Sequence, residues 1–279
     1  LVCLGAGAGP GLPAEPATPA ATERFANPPS SSRILKIIHG WPDESAAQDG
    51  IIQRLQAQGF GGVVCNVSFD QYLESDAKWT AFRRAVGAAR AAGMHLWLYD
   101  ERGYPSAEAG GLVLRDHPEW EAEGLLVADA DTDPGAVNLA LPPGRVVLAR
   151  AYPLHGRAIR LDEGVDLRTA AQEGKLTWTA PAGRWRVLAI TRTNLFEGTH
   201  AEGNYWQKLP YPNLLEAAPT ARFLELTHDR YARELGPELG RAFPATFTDE
   251  PSLMSMFLRR MPYRPLPWSE GLVRRFRER

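Results

Sequence analysis

Apolar positions fall first into short runs and then into spaced stripes. ILKIIHGW (34–41) is a run of buried-strand length. After Asp43 the pattern opens into a helical stretch through Gln58, with Ile51 and Leu55 four apart and Gly59 as the stop. GGVVCNVSF (61–69) predicts the next strand. From about Asp76 to Ala92, the residues Trp79, Phe82, Val86 and Ala89 recur at spacings of three and four. They predict a helix that Gly93 ends. MHLWLYDE (94–101) predicts a third strand. Strands alternating with helices in so short a stretch are the pattern of a parallel sheet with crossover helices. An open doubly wound sheet and a closed barrel both fit. No phosphate-binding glycine loop follows the first strand, so the usual nucleotide argument for the open form is missing.

The period changes after Glu123. GLLVADA, AVNLAL, RVVLARAYPL, KLTWTAP and GRWRVLAITRT read as strands separated by the turn signals DPG, PPG and PAG. They predict an antiparallel module inserted into the α/β frame. A loop rich in Gly, Asn and aromatic residues (194–213) leads to a helix from Pro219 to about Leu235, and Pro219 suits its first turn. PATFTDE (244–250) then predicts a strand that resumes the frame. The expected organisation is a leader and Pro/Ala-rich linker over 1–32, a first part of the α/β frame over 33–122, a β module over 123–195, and a continuation over 196–279.

Charge and cysteine content narrow the function classes. A net charge of -2 and a pI near 6.4 leave no electrostatic footprint for nucleic acid. The short basic run of Arg274, Arg275 and Arg277 reads as a solvated helix face. With only Cys3 and Cys65, a disulfide framework or a cysteine-based metal site is not expected, and Cys65 reads as a small buried residue. No run is long and apolar enough to span a bilayer. LVCLGAGAG and the Pro/Ala-rich stretch after it read as the back half of a secretory leader, so an exported (periplasmic or extracellular) protein is expected. A disordered Ala/Pro tail is the alternative.

Two predicted strands end in the same pair of acids: Asp100 with Glu101, and Asp249 with Glu250. In parallel α/β folds, reactive groups gather where strands end at the carboxyl edge of the sheet. Strand alternation puts His95, Trp97, Tyr99 and Glu101 on one face, and Thr246, Thr248 and Glu250 on one face of the other strand. Both glutamates then come out on a polar face if each strand stays regular to its end. Asn66 ends the second strand, and His39 lies near the end of the first. Two carboxyl groups at one mouth are the minimum for glycoside hydrolysis, one as acid and one as base or nucleophile. Trp41, Trp97, Tyr99, Tyr104, Tyr205 and Trp206 offer rings on which sugars stack. A strand-end Asp also caps helices, and a strand-end Glu also serves as an ion-pair partner. His200, Glu202, His228 and Asp229 match no transition-metal spacing, so no metal ligand is assigned; a carboxylate calcium site needs no fixed spacing and stays open.

WLYDERGYPSAEAGG (97–111), HPEWEAEGL after it, FLELTHDRYARELG (223–236) and FTDEPSL (247–253) together resemble stretches of bacterial barrel glycoside hydrolases related to the α-L-rhamnosidases of glycoside hydrolase family 106. The likeness spans roughly 34–255. It implies an α/β fold with a partial (β/α)8 TIM-like barrel interrupted by the antiparallel β module. It also implies an oligo- or polysaccharide substrate from which terminal sugars are removed, and inversion of configuration with calcium assistance, as in characterised relatives. The matching positions are Asp100, Glu101, Tyr104, Ser106, Asp249 and Glu250. Where the family stretch reads PSG, Ala107 stands in place of the glycine, a position where φ > 0 or a close ligand approach is expected. The chain supplies about four barrel strands, and closure takes eight. The expected catalytic pair is Glu250 as acid and Glu101 as base or sugar-binding carboxylate, with the roles exchangeable. The expected substrate contacts are Asp100, Asp249, Tyr104, Ser106, Asn66, His39, Trp97 and Trp206. Competing readings are a non-catalytic glycan-binding protein on a degenerate barrel, and a barrel lyase or metal-dependent hydrolase.

Overall fold

The computed structural model describes residues 21–195, 209–253 and 263–279. Cys3 and most of the leader-like segment lie outside these residues. The linker contributes a six-residue helix, Ala21–Ala26, with nothing buried.

The four expected strands form one parallel sheet: β1 (Leu35–Ile38), β2 (Gly62–Cys65), β3 (His95–Tyr99) and β12 (Ala245–Phe247), in the order β1-β2-β3-β12. Each strand is shorter than its apolar run. Helices α2 (Ser45–Ala57) and α3 (Asp76–Ala91) cross over between the first three. Ser75 caps α3 by accepting the Lys78 amide, and Trp79, Phe82, Val86 and Ala89 are all buried as their spacing requires. In α2 the buried pair is Ile52 and Leu55, with Ile51 only partly covered.

The sheet is covered on one face. Cys65, Leu96 and Leu98 pack with Trp79, Phe82 and Val86 into the main core. Burial raises the Cys65 thiol to about 12, so it stays an inert apolar group. The other face is open: Ile37, Val64, Trp97 and Phe247 line a cleft of about 610 Å³, and Trp97 is 39% exposed. The described residues form a mixed α/β structure with this parallel sheet, and their strands do not close on themselves.

The helix expected over 219–235 is two helices, α5 (Ala217–Leu226) and α6 (His228–Leu235), broken at Thr227. The Thr227 hydroxyl donates to the Phe223 carbonyl at 2.6 Å, competing with the backbone, and Thr227 takes φ -98°, ψ -80°. The break aims α6 so that Tyr231 wedges edge-on against Trp79, 4.8 Å between centroids, and accepts the Val67 amide. Apolar spacing alone did not show this break, because both halves keep the same period.

Between β3 and α5 lies the β module. Strands β4 (Glu123–Thr132), β6 (Arg145–His155) and β11 (Trp185–Asn194) form the centre of a six-stranded sheet. It faces a three-stranded sheet of β5 (Gly135–Ala140), β10 (Lys175–Ala180) and β9 (Ala171–Gln172). Ala149, Ala151, Val187 and Ala189 alternate inward to meet Val137 and Leu176. A segment expected in the α/β continuation joins this module: β13 (Arg264–Trp268) pairs antiparallel with β4. The terminal helix α7 (Glu270–Arg277) buries nothing, and its arginines are solvated.

Gly62 begins β2 where a Cβ would run into the His95 carbonyl and its neighbouring backbone. Gly62→Ala is therefore expected to cost about 1–3 kcal/mol through forced separation of β2 and β3. Urea unfolding of the variant measures this, and a midpoint equal to wild type would refute the tight strand contact.

Candidate active site

The carboxyl edge of the parallel sheet carries the candidate residues, and strand register decides which of them meet. Ile37, Val64, Trp97 and Ala245 stand in one row, and Tyr99 pairs with Phe247 in the next. Side chains in register share a face, so Tyr99, Phe247 and then Asp249 continue the open side. Thr248 comes level with Asp100 on the other side and donates to its Oδ2 at 2.6 Å. The expectation that Glu101 and Glu250 share one polar face is corrected. The strands stop at Tyr99 and Phe247, and the register sets the two glutamates on opposite parities.

Glu101 turns away from the mouth. It is fully buried, and its two oxygens accept five backbone amides: Arg102 and Gly110 at 2.7 Å on Oε1, and Ala107, Glu108 and Ala109 at 3.2, 3.1 and 2.8 Å on Oε2. Consecutive amides facing one way form an anion-binding concavity, and here the chain's own carboxylate fills it. Burial raises its pKa to about 7, against the lowering by the amides of Arg102, Ala109 and Gly110. With no solvent face and every lone pair engaged, Glu101 is a structural anchor, and the expected catalytic role is withdrawn. Ala107 has φ +118°, so the position read as glycine-favouring does hold the backbone there, on an alanine.

Asp100 and Ser106 are also buried, at 1% and 0% exposure, and neither is placed to touch a substrate as expected. Asp100 Oδ1 accepts the Ser106 hydroxyl at 2.7 Å, and His228 Nε2 lies 3.8 Å from Oδ2. Burial raises the Asp100 pKa, with the Thr248 and Ser106 hydroxyls pulling the other way. Asn66 is a strut as well: fully buried, it donates through Nδ2 to the Glu101 carbonyl at 2.5 Å. Tyr104 is half-buried and precedes Pro105 through a cis peptide bond.

What reaches the mouth is a smaller set. Asp249 is half-buried, and its Oδ2 accepts the Tyr99 hydroxyl at 2.8 Å. Burial and the Asp249 charge both raise the Tyr99 pKa. The His39 ring packs against Tyr99 and Phe69, 5.3 and 4.9 Å between centroids. Desolvation lowers the His39 pKa, and the Asp249 charge opposes this. Glu250 is exposed and holds φ +46°, a left-handed backbone that a non-glycine residue adopts only when its surroundings impose it. Trp97 stands one row down on the open face. Trp206, with Tyr205, His200 and Glu202, lies outside the described residues.

Sequence reasoning missed Thr248, His228 and Tyr211 as site-forming residues, and it took Tyr99 only as a ring beside the acids. Tyr99 had a signal, since it shares parity with Trp97. Tyr211 had none: it arrives through a long connection to donate to the Ser106 carbonyl, and its hydroxyl also accepts the Ser252 amide at 3.3 Å. Of the matched acids, Asp100 accepts two hydroxyls, Glu101 accepts five amides, and one oxygen of Asp249 accepts the Tyr99 hydroxyl. Among the described residues no three His, Cys, Asp or Glu side chains converge.

No family model matches the chain, and no curated protein matches it. Among solved structures, a rhamnosidase from Novosphingobium sp. PP1Y matches over 94% of this chain and 41% of its own length, with 13% identity and a TM-score of 0.45. The chain thus spans less than half of that protein, and a likeness at this level carries no argument about activity.

The contrast between the two glutamates is measurable. Glu101→Gln puts an amide NH2 among backbone donors, and an unsatisfied buried group of this kind costs about 2–3 kcal/mol. Its Tm is expected to fall by roughly 5 °C or more. Glu250→Gln, on the surface, is expected to stay within about 1 °C of wild type. Differential scanning calorimetry of both variants checks the pair, and equal Tm values would refute the anchor role of Glu101.

Proposed function

We propose that this chain carries part of the active face of an exported glycoside hydrolase that removes terminal sugars from oligo- or polysaccharides, with rhamnose-like deoxysugars as the first class to test. The observation that carries this reading is Glu250. An exposed carboxylate is held in a left-handed backbone conformation at the carboxyl edge of the parallel sheet, next to Asp249 in the chain. The motif resemblance supports the sugar class, and the composition of residues 1–32 supports export.

Glu250 serves as the group that exchanges a proton with the glycosidic oxygen. An exposed carboxyl suits this work, because it must gain and lose a proton within each turnover. Asp249 is the second carboxylate of the mouth. Its bond from the Tyr99 hydroxyl fixes its direction and leaves its other oxygen to accept from a sugar hydroxyl or a water. His39, packed against Tyr99, supplies a ring nitrogen to a further hydroxyl. Phe247, level with Tyr99, and Trp97 one row down offer apolar surface for the C–H face of a sugar ring.

Hydrolysis of a panel of aryl glycosides, α-L-rhamnopyranoside included, by the full chain tests this. Glu250→Gln is expected to lower kcat/KM by about 10²–10⁴-fold with Tm unchanged. Full activity in that variant would remove Glu250 from the mechanism. Sugar binding without turnover in the wild-type protein would make the mouth a glycan-binding surface instead.

A further inference from the structure

Two buried side chains, Asp100 and Ser106, and the exposed Thr248 lie between the anchored loop and the strand end that presents Glu250. Thr248 Oγ1 donates to Asp100 Oδ2 at 2.6 Å, and Ser106 Oγ donates to Asp100 Oδ1 at 2.7 Å. Ser106 then grips Asp249 on both sides of its peptide. The Asp249 amide donates to Ser106 Oγ at 2.9 Å, and the Ser106 amide donates to the Asp249 carbonyl at 2.7 Å. Tyr211 continues the line, donating to the Ser106 carbonyl and accepting the Ser252 amide. The segment Asp249–Ser252 is thus tied at both ends, with Glu250 at φ +46° between the ties.

We propose that Thr248, Asp100 and Ser106 form a positioning clamp that holds Asp249 and Glu250 at the mouth, with Asp100 as the shared acceptor rather than a substrate contact. An ionised acceptor makes each of these bonds stronger than a neutral pair would be, and both hydroxyls reach it from opposite segments of chain. The loop side is fixed independently, because Glu101 locks residues 102–110 from within. The strand side has no such anchor: β12 is three residues long, and pairs only with β3 among the described strands. A three-residue edge strand leaves its following residues free to move unless something else holds them, and the clamp is what holds them. His228, aimed at Asp100 by the helix break at Thr227, covers the clamp from the helix side.

The proposal rests on the glycosidase reading for its consequence in catalysis, and on geometry alone for the clamp. Thr248→Val removes one hydroxyl at a solvent-exposed residue and opens no cavity. Hydrogen–deuterium exchange of the full chain is expected to rise about tenfold in segment 247–252, with segment 102–110 and the rest of the sheet unchanged. On a glycoside that the wild-type protein hydrolyses, kcat is expected to fall ten- to a hundredfold, on the order seen for misplaced reacting groups, with KM held within about twofold. Thr248→Ser restores the hydroxyl and is expected to recover both exchange protection and most of the rate. Exchange at wild-type rates in Thr248→Val overturns the clamp, as does a rise in KM with kcat held. If the wild-type protein hydrolyses no glycoside but exchange responds as described, the clamp stands and the glycosidase reading falls.

Discussion

The carboxylate of Glu101 inside its ring of backbone amides is the interaction on which the candidate site depends. A loop that turns through Ala107 at φ +118° and Ala109 at φ +51° does not hold that path by its own preferences. Five amides converging on one buried carboxylate pull the loop into shape, and the same contacts satisfy donors that would otherwise be buried without partners. The charge is expensive to bury, as the upward push on its pKa shows. The amides offset that cost only while the loop keeps this one arrangement. Cost and offset together make the conformation specific.

From that anchor the order passes outward by short bonds. Ser106 is placed by the loop, Asp100 by Ser106 and Thr248, and the Asp249 peptide by Ser106. Tyr99, held in the sheet, then sets the direction of the Asp249 carboxylate. The matched acid pairs therefore divide by role rather than by position in their motifs. In the first, both acids are buried and structural. In the second, both stand at the mouth, half-buried and exposed. The β module is joined to this arrangement at its base, where the Ala122 amide donates to the Tyr211 carbonyl and the Leu195 amide to the Ala122 carbonyl. Tyr211, whose hydroxyl meets Ser106, belongs to the same contact. The module's position and the site's geometry are linked through that one tyrosine.

The amino-acid sequence by itself determined the elements. Apolar runs marked all four strands of the parallel sheet, the three-and-four spacing marked α3 with Trp79, Phe82, Val86 and Ala89 buried, and alternation marked the five longer strands of the β module, though not its two-residue strands. These features are local, since burial of one face imposes a period on the residues that share it. What the sequence left undetermined were the ends of strands and the relation between distant segments. Alternation extended through Glu101 and Glu250 put both on one face. It broke because β3 and β12 stop two and three residues sooner, and because their register pairs Tyr99 with Phe247. Register is a relation between segments about 150 residues apart, and neither segment encodes it alone. Tertiary structure likewise decided that Thr227 would break a helix of unbroken period and that β13 would join the module's sheet. It also decided that Glu101 would face the amides of its own loop, because only the folded chain supplies the donors that make burying that carboxylate tolerable.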